Sequence, residues 1–173
     1  MRHLVMAALL GAAALLGSAP VAAADAAPVS TIAQGRLAGA RDAGVERFLD
    51  IPFAAPPVGP LRWRAPQAPP RWDGVRDAAK PGPACPQTVR PALVAGGVAE
   101  YQSEDCLQLN IWRPAGARKL PVMVWIHGGA HVIGSGTFPA FDGTAFARQG
   151  VILVTINYRL GALGYFAHPA LSA

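Results

Sequence analysis

The chain has 173 residues, a net charge of +5, and 52% hydrophobic against 14% charged residues. That length holds one modest domain with its own core, and that composition excludes general disorder. The basic residues are scattered, Arg62 and Arg64 around Trp63 being the densest pair, so the clustered basic stripe of a nucleic-acid surface is missing and no nucleic-acid partner is expected.

In chain order, Met1-Arg2-His3 is a short basic head, Leu4 to Leu16 is apolar, and Ser18 to Ala24 is rich in small residues. Residues 1–24 read as a secretory signal peptide with cleavage between Ala24 and Asp25, which implies a secreted or periplasmic protein. The apolar run is shorter than the ~20 residues that span a bilayer, so no stable membrane span is expected. Two cysteines, Cys85 and Cys106, suggest a disulfide in an exported chain. A metal site is the alternative, but two isolated cysteines without nearby histidines suit zinc poorly.

Val29 to Ala33 and Glu46 to Ile51 read as short strands, with Gly35, Gly39 and Gly44 punctuating antiparallel hairpins. Pro52 to Pro60 is dense in proline, and Pro57/Pro60 and Pro66/Pro69 have P-x-x-P spacing. Such spacing can serve as a docking ligand, but the interleaved Phe53, Leu61 and Trp63 favour a rigid loop that buries them. Trp72-Asp73-Gly74 is a turn, and residues 78–102 look loop-like. Leu107 to Trp112 alternates as a strand, and Arg113 to Gly116 turns the chain. Val122 to Ile126 and Val151 to Ile156 are continuously apolar strands. Between them Asp142 can cap a helix over Gly143 to Gln149, with Gly150 as its C′ glycine. This order predicts an α/β unit buried on both faces. No repeats occur, and neither phosphate-binding glycine pattern is met, since Gly134-Ser135-Gly136 runs into Thr137-Phe138-Pro139.

His127-Gly128-Gly129-Ala130 follows the Val122 strand. A glycine pair at a strand end lets the backbone turn sharply and present its N–H groups, which in one class of hydrolases form an oxyanion hole. Such a site needs a nucleophile. Of Ser18, Ser30, Ser103, Ser135 and Ser172, none lies in G-x-S-x-G, and the nearest, Ser135, belongs to the glycine-rich loop itself.

Several segments carry a family resemblance. They are Phe48 to Arg64, Trp72 to Asp77, Gly82 to Gln87, Ser103-Glu104-Asp105-Cys106 through Trp112, Val124 to Gly129, and Thr155 to Gly161. In this order they resemble the N-terminal third of a type B carboxylesterase, the cholinesterase-like branch of the α/β-hydrolases. The resemblance implies an α/β fold: short antiparallel N-terminal strands leading into an incomplete central mixed sheet. Residues 25–173 would be a partial α/β-hydrolase domain, truncated before the nucleophile elbow.

It further implies a Cys85–Cys106 disulfide and a structural ion pair between Arg62 and Glu104. The oxyanion donors would be the backbone N–H groups of Gly129 and Ala130, with Gly128 supporting the turn. Many members have glycine at the position of Ala130; alanine is acceptable there if φ stays negative. His131 stands where an aromatic such as Phe is common and reads as a wall or surface residue. His127 reads as scaffold, and His168 lies in a loop. The implied activity is hydrolysis of a small-molecule carboxylic ester through a serine acyl-enzyme, with no cofactor and no metal. The serine, acid and histidine would lie beyond Asn157 to Gly161 and outside this chain, leaving it inactive alone. A non-catalytic adhesion or scaffold member of the same fold is the alternative. The residues carry no signal for oligomeric state.

Overall fold

Alternating apolar and polar residues lay down the first strands. The computed structural model describes residues 26–88, 101–116 and 118–171. The signal-peptide reading of residues 1–24, and residues 89–100 of the loop-like stretch, lie outside them. Strands β1 (Val29–Ile32) and β2 (Gly35–Ala38) form an antiparallel hairpin, and β5 (Val75–Asp77) adds to β2 in parallel. A second sheet has the order β3-β4-β6-β8-β7. Its members are β3 (Ala40–Asp42), β4 (Val45–Pro52), β6 (Gln108–Pro114), β7 (Val122–Ile126) and β8 (Ile152–Ile156). The β3–β4, β4–β6 and β6–β8 pairs are antiparallel, and β7–β8 is parallel. The sheet is therefore mixed, with antiparallel strands leading into it. β2, β3 and β5 lie where the sequence showed only glycine punctuation and a turn.

A parallel pair needs a crossover. Here helix α1 (Thr144–Arg148) provides it, and a second short helix, α2 (Gly161–Tyr165), follows β8. Helix α1 starts one residue late, so Gly143 rather than Asp142 is its N-cap and no side chain caps it; Asp142 Oδ1 instead accepts from the Thr144 N–H at 2.8 Å from one residue further out. Among the described residues no helix is long and apolar enough to cross a membrane.

Three apolar clusters hold these layers. Leu37, Phe48, Ile51 and Ala78 pack between the two sheets, with Trp72 against them. Val45, Leu49 and Trp112 meet Ala147 of α1. Ala54, Leu107 and Leu160 surround the cysteine pair. β4 serves two clusters because a bulge between Phe48 and Ile51 turns successive residues inward. Asp50 sits at that bulge with φ +57°, its N–H donating to Asn110 Oδ1. Glu46 on β4 is buried and accepts from Arg41 at 2.6 Å and Arg113 at 2.9 Å. Burial pushes its carboxyl up, but the bonds from Arg41 and Arg113 outweigh it and hold the group below the usual carboxylate range.

Two expectations are corrected. The apolar α/β unit is not buried on both faces. None of the five β7 residues is buried, from Met123 and Trp125 at 42% exposed to Ile126 at 63%. β7 is an edge strand with β8 as its one partner, and the five-residue α1 packs on β4, β6 and β8 instead. β8 itself alternates between buried and half-buried residues. In the proline-rich loop, Phe53 and Trp63 stay largely exposed. The loop is fastened by polar bonds rather than ring burial: Trp63 Nε1–H donates to the Ala162 carbonyl, and Ala55 N–H to the Gln67 carbonyl.

Candidate active site

The end of β7 feeds a loop over residues 127–138 that crosses the carboxyl ends of β7 and β8. Its shape is set by two glycines. Gly129 has φ +124°, and a Cβ there would strike the Ile133 carbonyl oxygen. Gly134 has φ +119°, and a Cβ there would run into His127 Nδ1 and lie 2.6 Å from the Gly128 carbonyl oxygen. The Gly129 carbonyl accepts from the N–H groups of Val132 and Ile133, closing a tight turn.

Within that turn Ala130 has φ +52° and His131 φ +63°. The expected negative φ at Ala130 is therefore wrong, because the turn needs consecutive left-handed residues. Each such non-glycine residue stores on the order of 1–3 kcal/mol of strain. Gly128, assigned the supporting turn, has open space where a side chain would stand, and the steric demand falls on Gly129 instead. The N–H groups of Gly129 and Ala130 donate to no acceptor among the described residues. Two adjacent donors without internal partners are equipped to hold an anionic oxygen.

The rest of the loop is braced at several points. Tyr158 Oη donates to the His127 carbonyl at 2.6 Å, and the two rings stack with centroids 4.3 Å apart. His127 Nδ1 lies 2.9 Å from its neighbouring Gly128 carbonyl, while its Nε2 is buried without a partner among the described residues. Burial pulls the imidazole below its usual range, the Gly128 carbonyl partly opposing, and the ring is packed into the scaffold by its stacking on Tyr158. Gly136 is gripped from the sheet: its N–H donates to Asn157 Oδ1, and its carbonyl accepts from Thr155 Oγ1 and Asn110 Nδ2. The Gly161 N–H donates to the His131 carbonyl at 2.7 Å, tying the loop to α2.

Ser135 is fully buried, bonded to Thr137 Oγ1 at 2.6 Å and donating to Asn157 Oδ1 at 3.1 Å. No histidine touches its hydroxyl, so it has no base to activate it. His131 is exposed and stacks on Tyr165 at 4.4 Å. His168 stacks on Phe166 and accepts from the Ala170 N–H. An open cleft of about 770 Å³ adjoins the loop, lined by Gln87, Gln102, Val132, Ile133 and Gly161 among others.

Cys85 and Cys106 form a disulfide with S–S 2.01 Å, buried beside Leu107 and Leu160. Arg62 pairs bidentately with Glu104, Nε to Oε2 at 2.7 Å and Nη2 to Oε1 at 2.6 Å. The pair is partly open to solvent. Hydrogen bonding from Arg62 holds the Glu104 carboxyl below its usual range. The sequence reading missed Gln87, Asn110, Thr155, Asn157 and Tyr158 as supports of the loop. All five lie within segments singled out for their family pattern, which was the signal available. Among the described residues no group of three His, Cys, Asp or Glu side chains could hold a metal.

Comparison with known proteins finds this chain similar to a set of esterases. The model of the family described as "Carboxylesterase family" matches residues 26–171. The chain is 55% identical over 130 residues to fumonisin B1 esterase of Sphingopyxis macrogoltabida, covering 74% of this chain and 24% of that protein. It is 44% identical over 139 residues to para-nitrobenzyl esterase of Bacillus subtilis (strain 168), covering 79% and 28%. A solved PNB esterase structure superposes with a TM-score of 0.76 at 42% identity, over 82% of this chain and 30% of that one. The chain thus spans about a quarter of the length of the curated relatives it matches.

Proposed function

The chain belongs to the carboxylesterase family, and we propose that it supplies the oxyanion hole of an enzyme hydrolysing small-molecule carboxylic esters. The observation that carries this is the adjacent Gly129 and Ala130 N–H groups, which have no acceptor among the described residues, in a loop braced at Gly134 and Gly136.

The chemistry follows. A serine hydroxyl from sequence outside these 173 residues, deprotonated by its histidine, attacks the ester carbonyl. The carbonyl oxygen becomes anionic, and the Gly129 and Ala130 N–H groups donate to it. The alcohol leaves with the proton, giving an acyl-enzyme. Water then repeats the attack, and the same two donors serve the second tetrahedral intermediate. Removing one such donor typically costs about 2.7–4 kcal/mol in the transition state. Fixed donors in a rigid loop suit this work, because they need no reorganisation when charge develops.

The reading includes export. Residues 1–24 act as a signal peptide cut after Ala24, and an oxidising compartment suits the Cys85–Cys106 bond.

The test is to express the full reading frame beside residues 25–173 and assay both with a chromogenic acetate ester. Hydrolysis by the long form alone is expected, with Asp25 at the mature N-terminus by sequencing. Turnover by residues 25–173 alone would overturn the external nucleophile. A folded long form inert to all esters would favour a binding role.

A further inference from the structure

We propose that Gln87 is a positioning residue for the oxyanion hole, locking the Gly134 limb of the loop and through it the peptide planes of Gly129 and Ala130. The proposal rests on the reading of Gly129 and Ala130 as oxyanion donors.

Gln87 lies two residues past Cys85, 47 residues from its target in sequence. Its Oε1 accepts from the Gly134 N–H at 2.8 Å, and its Nε2 donates to the Gly134 carbonyl at 2.8 Å. The side-chain amide thus mimics a strand partner for a single residue. Gln87 is itself held at both ends. Nε2 also donates to the Cys85 carbonyl at 3.1 Å, and its backbone N–H donates to Gln102 Oε1 at 2.8 Å. The anchor is therefore the disulfide arm, not the sheet.

Gly134 passes the restraint on. It packs so closely on His127 and the Gly128 carbonyl that no side chain fits between them. Ile133, its neighbour, donates its N–H to the Gly129 carbonyl. Moving Gly134 therefore moves the donor side of the Gly129 turn, at the Ile133 N–H, and the floor beneath Gly128. The loop has a second, independent anchor at Gly136, held by Asn110, Thr155 and Asn157. Loss of Gln87 leaves that anchor intact. The fold persists while the limb between His127 and Gly134 loosens. Catalysis by fixed donors is sensitive to such looseness, since misplacement of about 1 Å can cost on the order of 100-fold in rate.

The experiment compares Gln87→Met and Gln87→Glu with the parent, all as the product of the full reading frame. Gln87→Met keeps the bulk and removes both bonds to Gly134. Its kcat is expected to fall about 10- to 100-fold with KM within about 3-fold. Hydrogen exchange of the Val132, Ile133 and Gly134 amides should quicken, while the β6 and β8 amides stay protected. Gln87→Glu adds a readout that simple packing would not move. An ionised carboxylate can accept from the Gly134 N–H but faces its carbonyl without a proton. A protonated one donates again. The kcat of Gln87→Glu relative to the parent should therefore rise as pH is lowered. An unchanged exchange rate in Gln87→Met, or a variant-to-parent ratio flat with pH, would overturn the proposal. A parent without ester hydrolysis would instead remove the functional reading. The exchange measurement still decides the role of Gln87 in that case.

Discussion

Replacing Ala130 with glycine should stabilise the protein and leave its oxyanion donor in place. Ala130 has φ +52° and is followed by His131 at +63°. A Cβ in the left-handed region costs roughly 1–2 kcal/mol, which glycine does not incur. Glycine also frees the unfolded chain, which gives back about 0.4–1 kcal/mol. Ala130 is exposed, so its methyl group contributes little burial to lose. The balance is a gain of about 0.5–1 kcal/mol. With a urea slope of about 1.5–2 kcal/mol per molar, the unfolding midpoint should rise by roughly 0.3–0.7 M. The donor belongs to the backbone, so kcat for an acetate ester should stay within about 3-fold of the parent, well short of the roughly 100-fold cost of losing a donor. A lower midpoint in Ala130→Gly would show that the left-handed turn is not strained and refute the reasoning.

Two further outcomes follow from the same loop. Gly129→Ala places a Cβ against the Ile133 carbonyl at φ +124°, so kcat should drop by about 100-fold or more, as for loss of an oxyanion donor. Gly128→Ala points a methyl group into open space, so the unfolding midpoint should hold and any loss should appear in KM. His127 gives a pH dependence. Its folded pKa lies below the unfolded value of about 6.5, so the unfolded chain binds the proton first as pH falls. Stability should be fully present above about pH 7 and decline below about 6.5. A denaturation series from pH 8 to 5 reads this decline, which should shrink in His127→Phe; an identical slope in both would discard the buried neutral ring.

The sequence made the site's parts legible more readily than their conformation. Cys85, Cys106, Arg62 and Glu104 stand in spaced motifs whose residue types permit few roles, and the structure joins them in pairs. Asp142 signals the neighbourhood of its helix, because a short carboxylate bonding the N–H two residues on is local chemistry that residue order encodes. The φ of Ala130 was not legible, because alanine does not reveal the region it is forced into. Nor was the grip of Gln87 on Gly134: a side chain bonding a distant backbone leaves no periodicity. The burial of β7 was misjudged for another reason. An apolar run states what a strand favours, not which neighbour covers it, and at the sheet edge α1 turns elsewhere.

That edge also has a meaning in time. β7 ends at Ile126, and its partner β8 begins at Ile152. At a synthesis rate of about 5–20 residues per second, the five apolar residues of β7 emerge roughly 1–5 s before β8 can pair with them. Among the described residues β8 is the strand that pairs with β7. Through that interval Val122 to Ile126 is an apolar strand without its partner, open to pairing with another chain.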